Sequence, residues 1–307
     1  MQVHLVKHKF GIEYCYFLDR EYEYWAKDFS CDLGQVFSYT LKTYWCNQDK
    51  WFYDFEALGD GQRTGKRRRQ IAPSGLFNLK PSSSDEVVTA CLNALRHDRV
   101  FNTQYPIPTL AICDPDYAPH GWGWNGPAWL QVNYFVITGL LNVQQYEAAF
   151  DLWQRTRSLI MHEGKPHSYE LYDPVSGTGM GCPDYSWQAM VNHLIVRHFA
   201  GVGSYYLRPY LPKGMNRLSV SNLPGVIKSI SLKRTANGGK IDIEISPEVV
   251  RSGGRTINSI WLGAFEDVRS VSINGQALLE EYSDYKVWDI PSSFVNQKHW
   301  EIIIECR

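Results

Sequence analysis

The repeat length of the apolar residues changes once along this chain, near residue 210, and that change dictates two kinds of architecture. Before it the period is three to four residues, which places side chains on one face of a helix. Tyr22, Trp25, Phe29, Leu33, Val36 and Thr40 predict one helix over about 20–46. DEVVTACLNALRHD (85–98) repeats the pattern through Val88, Cys91, Leu92 and Leu95. PAWLQVNYFVITGLL (127–141) is apolar nearly all round, the mark of a helix buried on most sides. QQYEAAFDLWQRTRSLI (144–160) is amphipathic, with Tyr146, Phe150, Trp153 and Ile160 on one face. SWQAMVNHLIVRHFAGV (186–202) runs to Gly201 and Gly203, residues suited to helix ends. Helices apolar all round alternate with amphipathic ones, which predicts two layers of helices.

Beyond residue 210 the period is two. VIKSISLKR (226–234), KIDIEI (240–245), INSIWLGA (257–264), VRSVSI (268–273), KVWDI (286–290) and WEIIIEC (300–306) read as strands. Asn237-Gly238-Gly239 and Asn274-Gly275 are hairpin-turn signals. The chain therefore reads as multidomain α plus β: a helical domain over 1–205 and a small antiparallel β-sandwich over 206–307. The Pro- and Gly-rich YYLRPYLPKG (205–214) reads as the join. A polar insertion at 59–84, carrying Lys66, Arg67, Arg68 and Arg69, reads as a solvated loop. No aromatics interleave that basic run, and the formal net charge is -1, so neither nucleic acid nor an anionic membrane is an expected partner.

Seven scattered cysteines, Cys15, Cys31, Cys46, Cys91, Cys113, Cys182 and Cys306, contain no C-x-x-C pair. They read as reduced and mostly buried thiols, with neither a disulfide framework nor a metal site. No apolar run reaches membrane-spanning length, and the first residues lack a signal-peptide core. A cytoplasmic location is the expectation, although a truncated N-terminus would also lack its signal. No cofactor is implied.

The compositional outlier is aromatic content, 14%, with 11 Trp and 19 Tyr. It concentrates in two segments of one plan. HGWGWNGPAW (120–129) is a glycine-rich aromatic loop ahead of a buried helix, and HSYELYDPVSGTGMGCPDYSWQAMVNHLI (167–195) is another. Trp122, Trp124, Trp129, Tyr169, Tyr172, Tyr185 and Trp187 would wall a pocket between them. Asn125, Asp116, Glu170, Asp173 and Asp184 would supply its polar groups. Flat faces with a polar handle suit sugars. Glu170, set among Tyr169, Leu171 and Tyr172, is either a general base acting on water or a glutamate at a surface turn.

WNGPAW, YELYDPVSGTGMG and DYSWQAMVNHLI together resemble glycoside hydrolases of family 63, the mannosyl-oligosaccharide glucosidase and mannosylglycerate hydrolase group, with trehalase a more distant relative. WCNQDKWFYDFEA (45–57) is similar to that group's W-x-x-x-x-G-F-Y-D segment, with Lys50 where glycine is usual. The resemblance covers about residues 20–200. It implies a six-hairpin (α/α)6 barrel and inverting hydrolysis of an α-glycosidic bond. Glu170 matches the group's general base. Trp124, Asn125, Gly126 and Trp129 match its sugar-contacting loop, Asn125 standing where many members have arginine. Trp122, Tyr172, Trp187 and Asp54 complete the expected substrate-binding set.

Inversion needs a second carboxyl group about 6.5–9.5 Å from the first, with water between. In the group this acid is an aspartate in a G-x-D-N-S-P-like segment upstream of the W-F-Y-D segment, and no such segment occurs here. Asp54, Asp116 and Asp184 are the candidate substitutes. About five long helices are expected where a full barrel has twelve, which implies a C-terminal portion of such a barrel. Its expected partners are a carbohydrate substrate and the other part of the barrel. A non-catalytic carbohydrate-binding protein and a purely structural protein are the competing readings.

Overall fold

The computed structural model of the chain describes residues 44–53, 55–57, 63–67, 76, 79, 83–161, 168–203, 206–223, 226–245, 257–262, 265, 267–278, 280–282, 287–294 and 297–306. They fall into two compact units, Met1–Gln188 and Ala189–Arg307.

In the first unit, two short strands open the described chain, β1 (Trp45–Cys46) and β2 (Trp51–Phe52), paired antiparallel. The helix expected over 20–46 lies outside the described residues except at its end, where Trp45 and Cys46 are extended instead. Lys50, in the turn between these strands, has φ 52°. That left-handed backbone is why a glycine suits this position, and Lys50 ties it down by an ion pair with Glu86. The polar segment expected as a loop contains β4 (Arg63–Arg67), which pairs with β3 (Phe55–Ala57), so Lys66 and Arg67 belong to a hairpin.

Helix α1 (Asp85–Arg96) starts where Ser84 Oγ accepts from Val87 N–H at 3.4 Å. Asp85 and Glu86 in its first turn and Arg96 in its last complement the helix dipole. Helix α2 (Leu130–Asn142) buries eight of its residues, among them Val136, Ile137 and Leu140. Helix α3 (Tyr146–Ile160) packs on it and buries Phe150, Trp153 and Leu159. Buried Asn133 fastens the loop before α2 to both helices. Its Oδ1 accepts from Ile107 N–H at 2.8 Å, and its Nδ2 donates to Pro106 O and, at 3.0 Å, to Thr156 Oγ1. An amide buried at 0% exposure is tolerated because both its ends are satisfied.

Two features of this unit differ from the sequence reading. Pro127 and Ala128 are not helical: Ala128 bridges both Pro108 and Tyr172, and α2 begins at Leu130. The segment after residue 167 is not a loop but a hairpin of β5 (Tyr169–Tyr172) and β6 (Gly179–Pro183).

The second unit opens with α4 (Gln188–Leu194), which starts at the boundary and continues as a π-helix, Ile195–Phe199, ending before Gly201 at φ 74°. After β7 (Tyr206–Leu207) come β8 (Arg217–Val220), β9 (Ile227–Thr235), β10 (Gly238–Ile245), β11 (Ser259–Trp261), β12 (Val268–Ile273), β13 (Gln276–Ala277), β14 (Glu280–Tyr282), β15 (Val287–Asp289) and β16 (His299–Cys306). One sheet has the order β13-β12-β16-β10-β9-β8, all antiparallel, and the other β14-β15-β11-β7, with β11 and β7 parallel. Inward residues at alternate positions, such as Ile241, Ile243 and Ile245, or Trp300, Ile302 and Ile304, share one core with Ile260, Trp288 and Phe294. Leu207 and Leu211, from the expected join, belong to that core.

Among the described residues there are four α-helices beside sixteen strands. None of those helices is long and apolar enough to cross a membrane. The helical period of the first two-thirds hides the short strands at 45–67 and 169–183, because pieces of two to five residues leave no periodic trace. Among the described cysteines only Cys91 is buried. Burial pushes its thiol up to about 12, while Cys113 and Cys182 are exposed, against the expectation of mostly buried thiols.

Candidate functional site

The site is built on the first unit by a backbone junction. Ala128 N–H donates to Tyr172 O at 2.8 Å and Tyr172 N–H to Ala128 O at 2.9 Å. This pair brings the tryptophan loop and the Glu170 hairpin together. The other edge of Ala128 bridges Pro108, and Thr109 Oγ1 accepts from Gly126 N–H at 3.1 Å and donates to Pro127 O at 3.0 Å. Gly126 sits at φ 146°, and a Cβ there would lie 3.0 Å from Ala118 C, Pro119 N and the Tyr117 ring. Glycine is required at that turn on both counts.

The loop carries its indoles in a graded stack. Trp129 is 8% exposed and donates its Nε1–H to Gly123 O at 3.1 Å. Trp124 lies face to face on it, centroids 4.6 Å apart and planes 7° from parallel, yet is 56% exposed. One face of Trp124 is thus covered by Trp129 and the other is open. Trp187 packs against Trp129 at 5.5 Å, and Tyr185 meets Trp187 edge-on at 4.7 Å. Trp122 stands out at 76% exposed. Asn125 is also exposed and uses its backbone oxygen to accept from Ala118 N–H.

Glu170 lies at a bulge. Tyr169 pairs with Pro183 and Leu171 with Met180, so Gly181 and Cys182 together oppose Glu170. Gly181 adopts φ 75°, and a Cβ on it would come within 2.9 Å of Glu170 Oε2 and 3.0 Å of Glu170 Cβ. Cys182 N–H points at the same oxygen, at 3.4 Å. The carboxylate therefore rests in a cradle left open by the glycine, half-buried on the hairpin. Below it Leu171 and Tyr172 are buried, and the Tyr172 hydroxyl accepts from Tyr169 N–H at 2.9 Å. Tyr172 is 0% exposed, so it supports the hairpin and offers no surface to a ligand.

Asp116 is exposed, its N–H donating to Asp114 Oδ1 at 3.0 Å. Asp184 is exposed at φ 58°, its N–H donating to Ser168 O at 2.7 Å. Asp54 lies outside the described residues. Asp173 is buried at 3% exposure beneath the hairpin turn. Two neighbours of Asp173 lie outside the expected set. His120 Nδ1 lies 2.8 Å from Asp173 Oδ2. The hydroxyl of Tyr117 is buried and has no hydrogen-bond partner among the described residues, and burial first, then the nearby Asp173, pushes it up to about 12. The glycines around His120 and Met180 were the available signals, since glycine marks close approach of backbone to a functional group.

A family model described as the mannosylglycerate hydrolase MGH1-like glycoside hydrolase domain matches residues 26–188, just over half of the chain. The curated mannosylglycerate hydrolase of Thermus thermophilus is 33% identical over 86 residues, covering 28% of this chain. The chain spans only 20% of that relative's length. Among solved structures, the GH63 mannosylglycerate hydrolase of Thermus thermophilus in complex with glucose is similar at 21% identity and TM-score 0.44, over 58% of this chain and 44% of the other. The α-L-rhamnosidase of Dictyoglumus thermophilum is similar over 94% of this chain and 29% of the other, at 13% identity and TM-score 0.51, a likeness of fold alone.

Proposed function

The chain belongs to the mannosylglycerate hydrolase MGH1-like glycoside hydrolase family, and we propose that it acts in inverting hydrolysis of an α-glycosidic bond, with Glu170 as the general base. The observation that carries this reading is the Ala128–Tyr172 backbone pair, which joins an open indole platform to a half-buried carboxylate. A sugar ring lies on the open face of Trp124, backed by Trp129 and Trp187, with Trp122, Asn125 and Gly126 at its rim. Glu170 draws a proton from water as that water attacks the anomeric carbon, and the glycosidic oxygen leaves with a proton from a second carboxyl group. Asp54, Asp116 and Asp184 remain the candidates for that second group. The helices of the first unit are part of an (α/α)6 barrel in this reading, and the two sheets of the second unit are its β-sandwich companion. The curated relative is named for mannosylglycerate, so a sugar linked to a small acid is the substrate to try first, with α-linked disaccharides beside it.

The test is hydrolysis of these glycosides followed by proton NMR of the released sugar. Wild-type protein should release the β-anomer first, and Glu170→Gln should lower the rate by about 10²–10⁴-fold, the usual contribution of a general base. Trp124→Ala should weaken binding. Turnover by Glu170→Gln at the wild-type rate would remove the residue from the mechanism, and the α-anomer as first product would remove inversion. Sugar binding that Trp124→Ala abolishes, without any release, would leave a carbohydrate-binding protein.

A further inference from the structure

Asp173 is buried, yet what it holds is exposed. Its Oδ1 accepts from Val175 N–H at 2.7 Å and Ser176 N–H at 3.1 Å, which shapes the turn between β5 and β6. Its own N–H donates to Thr178 O, and its carbonyl accepts from Gly177 N–H, both at 2.9 Å. The second carboxylate oxygen is left for His120 Nδ1 at 2.8 Å, and the His120 side chain is 77% exposed at the root of the tryptophan loop. One side chain therefore binds the turn of the Glu170 hairpin and the start of the segment carrying Trp122 and Trp124.

We propose that Asp173 is a positioning residue that clamps the tryptophan loop to the Glu170 hairpin through His120, in every protonation state of that histidine. The proposal rests on the reading of this loop as the sugar platform and of Glu170 as the base. A carboxylate only accepts, so it satisfies Nδ1–H whether or not Nε2 carries a proton. The other ionisable groups nearby do not replace it. Tyr117, the group beside Asp173 that burial holds protonated, stays neutral through the histidine range. Asp114 and Asp116 occupy the same loop, where Asp114 Oδ1 is engaged by Asp116 N–H. The turn itself, residues 173–178, contains no ionisable side chain besides Asp173.

Asparagine at 173 separates the two duties. Its amide oxygen still accepts from the turn, while its amide nitrogen faces His120. A neutral imidazole accommodates this by moving its proton to Nε2, but an imidazolium sets donor against donor. The experiment is amide hydrogen exchange of the wild-type chain, Asp173→Asn and His120→Ala, read as protection factors at about pH 5.5 and about pH 7.5. In wild type, residues 118–126 should keep the same protection at both pH values. In Asp173→Asn their protection should match wild type at the higher pH and fall about tenfold at the lower, the scale of one charge-assisted hydrogen bond. His120→Ala should lose it at both. Residues 173–178 should stay protected in all three proteins, which separates unclamping from misfolding. Equal loop protection in wild type and Asp173→Asn at the lower pH would overturn the clamp, as would unchanged protection in His120→Ala. Sugar binding, measured on the same proteins and on Trp124→Ala, judges the platform separately: binding unaffected by Trp124→Ala would sink that reading whatever the exchange data say.

Discussion

The neighbours of Glu170 in sequence mark it as a candidate base, but they carry no trace of what surrounds its carboxylate. Its carboxylate accepts from the backbone N–H of Cys182 and occupies space that a Cβ on Gly181 would crowd, both on the opposite strand. Neither has a side-chain signature. Gly181→Ala should therefore act on chemistry more than on binding. The alanine must adopt φ 75° at a cost of about 1–2 kcal/mol, and its methyl occupies the space of Glu170 Oε2. The expected result is a kcat at least about tenfold lower, which is ~1.4 kcal/mol of barrier, with sugar affinity unchanged in a calorimetric titration. Loss of affinity with kcat intact would place Glu170 in binding instead. Tyr172 shows the opposite limit of sequence reading. An aromatic beside a candidate base invites the role of pocket wall, and only burial shows that its ring supports the hairpin from within.

At the scale of elements, legibility followed length. The helices Asp85–Arg96, Leu130–Asn142 and Tyr146–Ile160 and the long strands Ile227–Thr235, Gly238–Ile245 and His299–Cys306 follow from periods sustained over two or more turns or several alternations. The hairpin of β5 and β6 did not, because Gly179, Gly181 and Pro183 interrupt its second strand and the apolar residues do not alternate. Turn chemistry was the better guide. Asn274 and Gly275 take φ 49° and 80°, the two left-handed residues that join β12 to β13. A Cβ on Gly275 would meet nothing within 4 Å among the described residues, so Gly275→Ala isolates the backbone effect. It should lower the unfolding free energy by about 1–2 kcal/mol in urea titrations. A neutral effect would mean the turn relaxes to another type without cost.

At the scale of the molecule, a half-buried histidine of the second unit should couple acid to stability. His198, on the π-helical turn, has its pKa lowered to about 3, first by burial and then by the charges of Arg197 and His193. An unfolded histidine titrates near 6.5. Between those values the unfolded chain binds a proton that the folded chain refuses. The stability His198 allows is present above about pH 6.5 and is lost as pH falls toward 3. His198→Gln, which cannot take up that proton, should show a smaller drop in Tm than wild type between about pH 7 and about pH 5. An equal drop would assign the acid sensitivity elsewhere.

The sequence by itself determined the change of period near residue 210, the helices and strands long enough to repeat, the hairpin turn at Asn274-Gly275, and the resemblance carried by the tryptophan loop and the Glu170 segment. These are local properties, set by neighbours within a few positions along the chain. Only the tertiary structure decided that Ala128 pairs with Tyr172, that Trp124 lies on Trp129 with one face open, that Gly181 makes room for Glu170, and that Asp173 reaches His120. Each of these joins or clears space between residues whose meeting depends on how the backbone turns between them. Hydrogen bonds and van der Waals contacts act over a few ångströms, so the site is fixed by that meeting rather than by the spacing of its residues in the chain.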